Sequence, residues 1–123
     1  MTAGDGSGFG CFEQLGNLRT LNLDGLPLAN EQLVQLSYLH RLENLNLCAT
    51  PIDDTGIVHV KQLHRLENLN LKWTAVSDRG LADLESLKRL RHLNMIESRV
   101  SEVGENQLQK AMPKLSIAVD APP

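Results

Sequence analysis

The chain has 123 residues, enough for one domain, and is 41% hydrophobic but only 3% aromatic, so its core has to be aliphatic. Its 12 Lys and Arg against 15 Asp and Glu leave a net charge of −3, without the basic surplus that a grip on nucleic acid by counterion release calls for. No apolar run approaches the ~20 residues that cross a bilayer, and Cys11 and Cys48 make neither a metal spacing nor a redox motif.

In chain order, the opening Met1-Thr2-Ala3-Gly4-Asp5-Gly6-Ser7-Gly8 lacks the basic and apolar regions of a signal peptide, which favours the cytoplasm. Phe9, Phe12 and Leu15 are spaced by three and predict a short helix over 8–15. Leu21-Asn22-Leu23 alternates apolar and polar residues, the period of a short strand with one buried face. After Leu28 the spacing becomes three again at Leu33, Leu36 and Leu39, predicting a helix over 30–39. The segment from Leu39 to Leu47 then recurs letter for letter from Leu63 to Leu71, an offset of 24 residues.

That period orders the rest. Leu21, Leu45, Leu69 and Leu93 form one column; Leu23, Leu47, Leu71 and Met95 form the next. Leu28, Ile52, Val76 and Val100 follow, and Leu33, Ile57 and Leu81 begin the helical half. Further helices are predicted over 54–63, 78–87 and 102–111, and Ile117 with Val119 gives a closing strand. The predicted organisation is a single domain over 1–123: a half repeat over 1–17, four 24-residue repeats over 18–113, then a closing strand and tail over 114–123. A strand–turn–helix of this size cannot bury its own apolar edge, whereas stacked neighbours can, so the fold class is an α/β solenoid. The Gly-rich opening and the half repeat fit a small remnant or a piece of a longer array.

One of Asp53 and Asp54, and one of Ser77 and Asp78, is placed to accept a hydrogen bond from the free N–H groups of the following helix. Gly56, Gly80 and Gly104 recur singly at one phase, as turn or helix-start residues rather than a phosphate cradle.

The pattern Leu66-x-x-Leu69-x-Leu71-x-x-Thr74-x-Val76 resembles a leucine-rich repeat. Thr50, Thr74 and Ser98 fill the place where the common form has Asn or Cys, and a hydroxyl there can bond backbone groups of the turn; Leu26 breaks this column. The wording over Thr74–Leu81 and the ending Gln107–Lys114 are similar to 24-residue repeats of bacterial leucine-rich repeat proteins and to the leucine-rich tails of ubiquitin-ligase substrate receptors. The resemblance implies a short, curved, right-handed stack with a parallel sheet on the concave side and short helices on the convex side.

On such a scaffold four columns point into the concave space. They are Thr20, Asn44, Asn68, His92; Asn22, Asn46, Asn70, Asn94; Asp24, Cys48, Lys72, Ile96; and Gly25, Ala49, Trp73, Glu97. The all-Asn column either offers amides to a ligand or satisfies the sheet by amide-to-amide bonds. Trp73 is a hot-spot residue type if it points outward, and Ile96 beside it extends an apolar patch.

No catalytic constellation assembles. His40 and His64 are too few for a metal site, and Cys48 and His92 stand two strands, ~10 Å, apart. The expected function is therefore a non-catalytic module that binds a protein or peptide through Asp24, Asn46, Asn70, Lys72, Trp73, His92, Asn94, Ile96 and Glu97. No cofactor, metal, nucleic acid or membrane is expected, and the chain is expected to be a monomer or part of a longer array. Alternatives from other classes are a substrate-receptor fragment of a ubiquitin-ligase-type complex and a structural, self-associating repeat.

Overall fold

A computed structural model describes residues 17–118. The helix expected over 8–15, and Val119 of the closing strand, lie outside the described residues. Five short strands alternate with helical segments: β1 (Thr20–Asn22), a 3₁₀ segment (Asn30–Tyr38), β2 (Asn44–Asn46), α1 (Asp54–Val60), β3 (Asn68–Asn70), α2 (Asp78–Leu84), β4 (His92–Asn94), α3 (Glu102–Ala111) and β5 (Ser116–Ala118). The strands form one parallel sheet in sequence order. Its register pairs Leu21 with Leu45, Leu45 with Leu69, Leu69 with Leu93 and Leu93 with Ile117. Each pairing step is one sequence period, so the leucine columns read from the chain are columns in space.

The core lies between sheet and helices. Leu23, Leu28, Leu33, Leu36 and Leu39 of the first coil are fully buried, as are Leu47, Ile52, Ile57 and Val60 of the second. Burying one such side chain is worth about 1.5–3 kcal/mol. Backbone bonds run the same way: Leu23 N–H to Asn46 O at 2.8 Å, Leu47 N–H to Asn70 O at 2.9 Å, Leu71 N–H to Asn94 O at 2.8 Å.

α1 and α2 are shorter than their apolar spacing predicts, whereas α3 spans the full 102–111. α1 and α2 stop at Val60 and Leu84, and the next leucine returns through an i→i+3 bond, Leu63 N–H to Val60 O and Leu87 N–H to Leu84 O, both 3.0 Å. A spacing of three is the period of a 3₁₀ helix rather than an α-helix, and the first coil adopts 3₁₀ geometry throughout Asn30–Tyr38. Of the paired cap candidates, Asp53 and Ser77 hold the N-cap positions rather than Asp54 and Asp78, but the Ser77 hydroxyl accepts no bond from its helix. Asp53 accepts from Thr55 N–H at 2.9 Å.

Asp54 and Asp78 do something else: each reaches into the next coil. Asp54 Oδ1 accepts Ser77 N–H at 2.7 Å and its Oδ2 accepts the Ser77 hydroxyl. Asp78 repeats both contacts with Ser101, and Asn30 makes the equivalent pair with Asp53. The recurring glycine follows from this clamp. A Cβ on Gly80 would stand 2.5 Å from Asp54 Oδ1, and one on Gly56 would stand 2.6 Å from Asn30 Oδ1. The glycines are there because a neighbour's side chain occupies the space, not because of their backbone angles.

Gly80→Ala is therefore expected to cost about 1–3 kcal/mol by overpacking, read as a lowered midpoint in chemical denaturation. Asp54→Ala, which leaves the Ser77 N–H without its acceptor, should cost about as much. In the Asp54→Ala background the added methyl loses its tightest contact and keeps only Val76 Cγ1 at 3.0 Å, so Gly80→Ala should cost clearly less there; strictly additive losses would disprove the clamp.

Candidate functional site

The first four strands, β1 to β4, all end in the same device. The Asn at the last position of each turns its own carbonyl oxygen onto the backbone two residues on. Asn22 Oδ1 accepts Asp24 N–H at 3.0 Å, Asn46 accepts Cys48 N–H at 2.9 Å, Asn70 accepts Lys72 N–H at 2.9 Å and Asn94 accepts Ile96 N–H at 3.1 Å. These are Asx turns, in which a side chain stands in for the next backbone carbonyl. The next residue is left-handed in every coil: Gly25 at φ 77°, Ala49 at 58°, Trp73 at 59° and Glu97 at 59°. Only glycine takes this conformation without cost; others lose about 1–2 kcal/mol. One residue further, Thr50, Thr74 and Ser98 donate their hydroxyls to the carbonyls of Leu47, Leu71 and Met95, each at 2.7 Å, and close the turn.

The four outward columns are thus two different surfaces. The first two, with Ser116 and Ala118, line an open trough of about 440 Å³ over the sheet. The all-Asn column does not bond to itself. The amide ladder belongs to the first column, where Asn68 Nδ2 donates to Asn44 Oδ1, and Asn44 Nδ2 donates to Thr20 Oγ1 at 3.1 Å. In the second column the backbone N–H fixes which amide atom faces it. That leaves the Nδ2 donors of Asn22, Asn46, Asn70 and Asn94 without a partner among the described residues. The trough carries no carboxylate and no ammonium or guanidinium group; its polar groups are amides, hydroxyls and the His92 imidazole, over a floor of Leu21, Leu45, Leu69 and Leu93.

Of the expected contact residues, Asn46, Asn70, His92 and Asn94 line this trough, and Asn22, Asn44 and Asn68 join them. Asp24, Lys72, Trp73, Ile96 and Glu97 do not: they belong to the turns beyond the strand ends, since each strand stops at its Asn. Trp73 is 55% exposed there, with Lys72 Nζ 4.5 Å from its ring centroid, a cation–π contact. Trp73 N–H bonds to Ile96 O at 3.0 Å, which sets the partly buried Ile96 beside it. Cys48 is buried, and its thiol lies within reach of Asp24 and Lys72, its neighbours in the column. Among the described residues no three His, Cys, Asp or Glu side chains converge as metal ligands, and no helix is long and apolar enough to cross a membrane.

Burial pushes the Cys48 thiol above its ordinary range, the charge and hydrogen bond of Asp24 push it the same way, and Lys72 pulls it down. A raised thiol pKa means less thiolate at a given pH, and a fold contribution that is present below the ordinary thiol range and lost as pH rises through the raised value. Alkylation of Cys48 by iodoacetamide, followed by peptide mass spectrometry at pH about 8, should be slower than in the unfolded chain. Asp24→Asn should accelerate it in the folded protein; an unchanged or reduced rate would sink this reading.

No family model matches the sequence, and no curated protein is similar to it at the level of sequence. Among solved structures the chain is similar to a leucine-rich repeat protein of Leptospira interrogans, with a TM-score of 0.66 and 24% identity over 85% of this chain and 26% of that one. It is similar to internalin C2 of Listeria monocytogenes with a TM-score of 0.68 and 20% identity, over 89% of this chain and 47% of that one. A further internalin of the same bacterium gives a TM-score of 0.59 and 14% identity, over 90% of this chain and 37% of that one. The chain thus spans between about a quarter and a half of the length of these proteins. A parallel sheet stepping by one sequence period, buried leucine columns, Asn-ended strands and these structural likenesses together establish that the chain has the leucine-rich repeat fold.

Proposed function

We propose that the chain is a non-catalytic protein-interaction module whose contact surface is the sheet trough together with the turn ridge at its edge. The observation that carries this reading is Trp73, more than half exposed, in a left-handed turn where it contributes little to the core, beside Ile96 and under the Lys72 ammonium. Large aromatic side chains so placed supply much of the energy at protein interfaces. The neutral trough complements it: a row of amide donors at the ~4.8 Å strand spacing suits uncharged acceptors such as peptide carbonyls. The surface is small, so a partner of standard interface size, ~800 Å² per side, would occupy most of it. The bacterial structural neighbours share the scaffold and support the choice of an interaction module over an enzyme.

The test begins with a photo-crosslinking amino acid in place of Val103, on the convex helix, and separately in place of Trp73, in cells. The partner captured only from position 73 is then titrated by calorimetry. Trp73→Ala with Lys72→Glu should weaken that binding by at least about 30-fold, the size of a hot-spot loss. Undiminished affinity would exclude the ridge and the trough it borders.

A further inference from the structure

At the opposite end of the strands from Trp73, where each helical segment returns to the sheet, the chain collects cations. Arg41, Arg65 and Arg89 recur there at one phase of the repeat and all three are exposed. At the last returns they lead into a cleft of about 430 Å³ lined by Lys88, Arg89, Arg91 and Lys114, with Glu67 as its lone carboxylate and Leu90 in its wall. The four cations are exposed while Leu90 is buried. Six of the chain's 12 Lys and Arg fall in this row, against Glu43 and Glu67 beside it, in a chain whose net charge is −3.

The backbone under the cleft is fixed. Arg91 and His92 N–H bond to Glu67 O at 2.8 and 3.0 Å, and Ser116 N–H bonds to Arg91 O at 2.8 Å. The ladder that builds the sheet therefore holds these cations side by side. None of them is in an ion pair with another described residue; the described pair joins Lys61 and Asp83 elsewhere. Like charges kept together this way repel, and an incoming anion converts that repulsion into attraction.

We propose that this cleft, continued by Arg65 and Arg41, is a second binding site, for an acidic linear peptide segment rich in Asp or Glu. The two neighbouring guanidinium groups suit carboxylates, which they can take in bidentate pairs. From Arg41 to Lys114 the row crosses three coil steps, ~15 Å at the strand spacing, about the length of five extended residues. Nucleic acid fits less well. Glu67 lies in the cleft and the rest of the molecule is acidic, so a long polyanion meets repulsion that a short acidic segment avoids. The site is separate from the trough and stands or falls without it.

The test uses the full chain and fluorescence anisotropy with three labelled probes: a short oligoglutamate, the matching oligoglutamine, and an oligothymidylate of equal charge. The expected result is binding of oligoglutamate alone or preferentially, weakening at least about tenfold between about 50 and about 200 mM salt. Arg89→Glu with Arg91→Glu should reduce affinity by at least about tenfold, whereas Lys110→Glu on α3 should leave it unchanged. Circular dichroism reports folding of each variant. If the double reversal does not fold, Arg89→Gln takes its place, with a severalfold loss expected. Equal binding of oligoglutamine, tighter binding of oligothymidylate, or indifference to Arg89 and Arg91 would each overturn the proposal. Loss of binding on Trp73→Ala would assign the peptide to the trough and overturn it as well.

Discussion

No coil of this chain can bury its own leucines, and everything else in the structure follows from how neighbours do it for one another. The core is built edge to edge: Leu45 is covered by Leu21 on one side and Leu69 on the other, in a register held by the sheet. Stability in such a stack comes from the interfaces between units as much as from the units themselves. The Asp54–Ser77 and Asp78–Ser101 clamps repeat that logic on the helical side. They explain why a residue without a side chain must stand at Gly80 and Gly104: the preceding coil has already filled the space.

The same requirement produces the candidate binding surface. A coil must leave the sheet quickly to reach its helix, and the Asn at each strand end accomplishes this with an Asx turn followed by a left-handed residue. Once the amide oxygen is committed to the turn, the Nδ2 donor remains for the trough. Structure and display are not alternatives for these asparagines; one end of each amide serves the fold and the other faces the open surface. The left-handed position then lifts whatever residue occupies it onto the ridge, which is why Gly25, Ala49, Trp73 and Glu97 differ so widely in size and charge at one backbone geometry. A buried position could not tolerate that range.

The two ends of the strands are chemically unlike. The end carrying the Asx turns presents an aromatic–cation pair and acidic residues beside a neutral trough, while the helix-return end presents a run of cations. A solenoid allows this because each coil passes both ends once, so a single residue type at one phase becomes a stripe across the molecule. Arg41, Arg65 and Arg89 form such a stripe without any contact among them being needed for folding.

By itself the sequence determined the period, the strand and core columns, the parallel sheet and the place of the hydroxyl turn contacts at Thr50, Thr74 and Ser98, because burial repeats with a fixed spacing and spacing is written in the chain. It also supplies the surface columns, but the column spacing alone does not separate the trough residues Asn44 and Asn68 from Lys72 and Trp73, which stand in the turn. Three matters were decided only by the tertiary structure. The left-handed position is betrayed in the sequence by Gly25 alone and masked by Ala49, Trp73 and Glu97 in the later coils. The amide ladder runs through Thr20, Asn44 and Asn68 rather than through the unbroken Asn column. Asp54 and Asp78 look like helix caps, yet they clamp the next coil. In each case the deciding contact joins backbone or side-chain atoms across coils. Its distance and direction depend on how the coils stack, which local residue preferences do not encode.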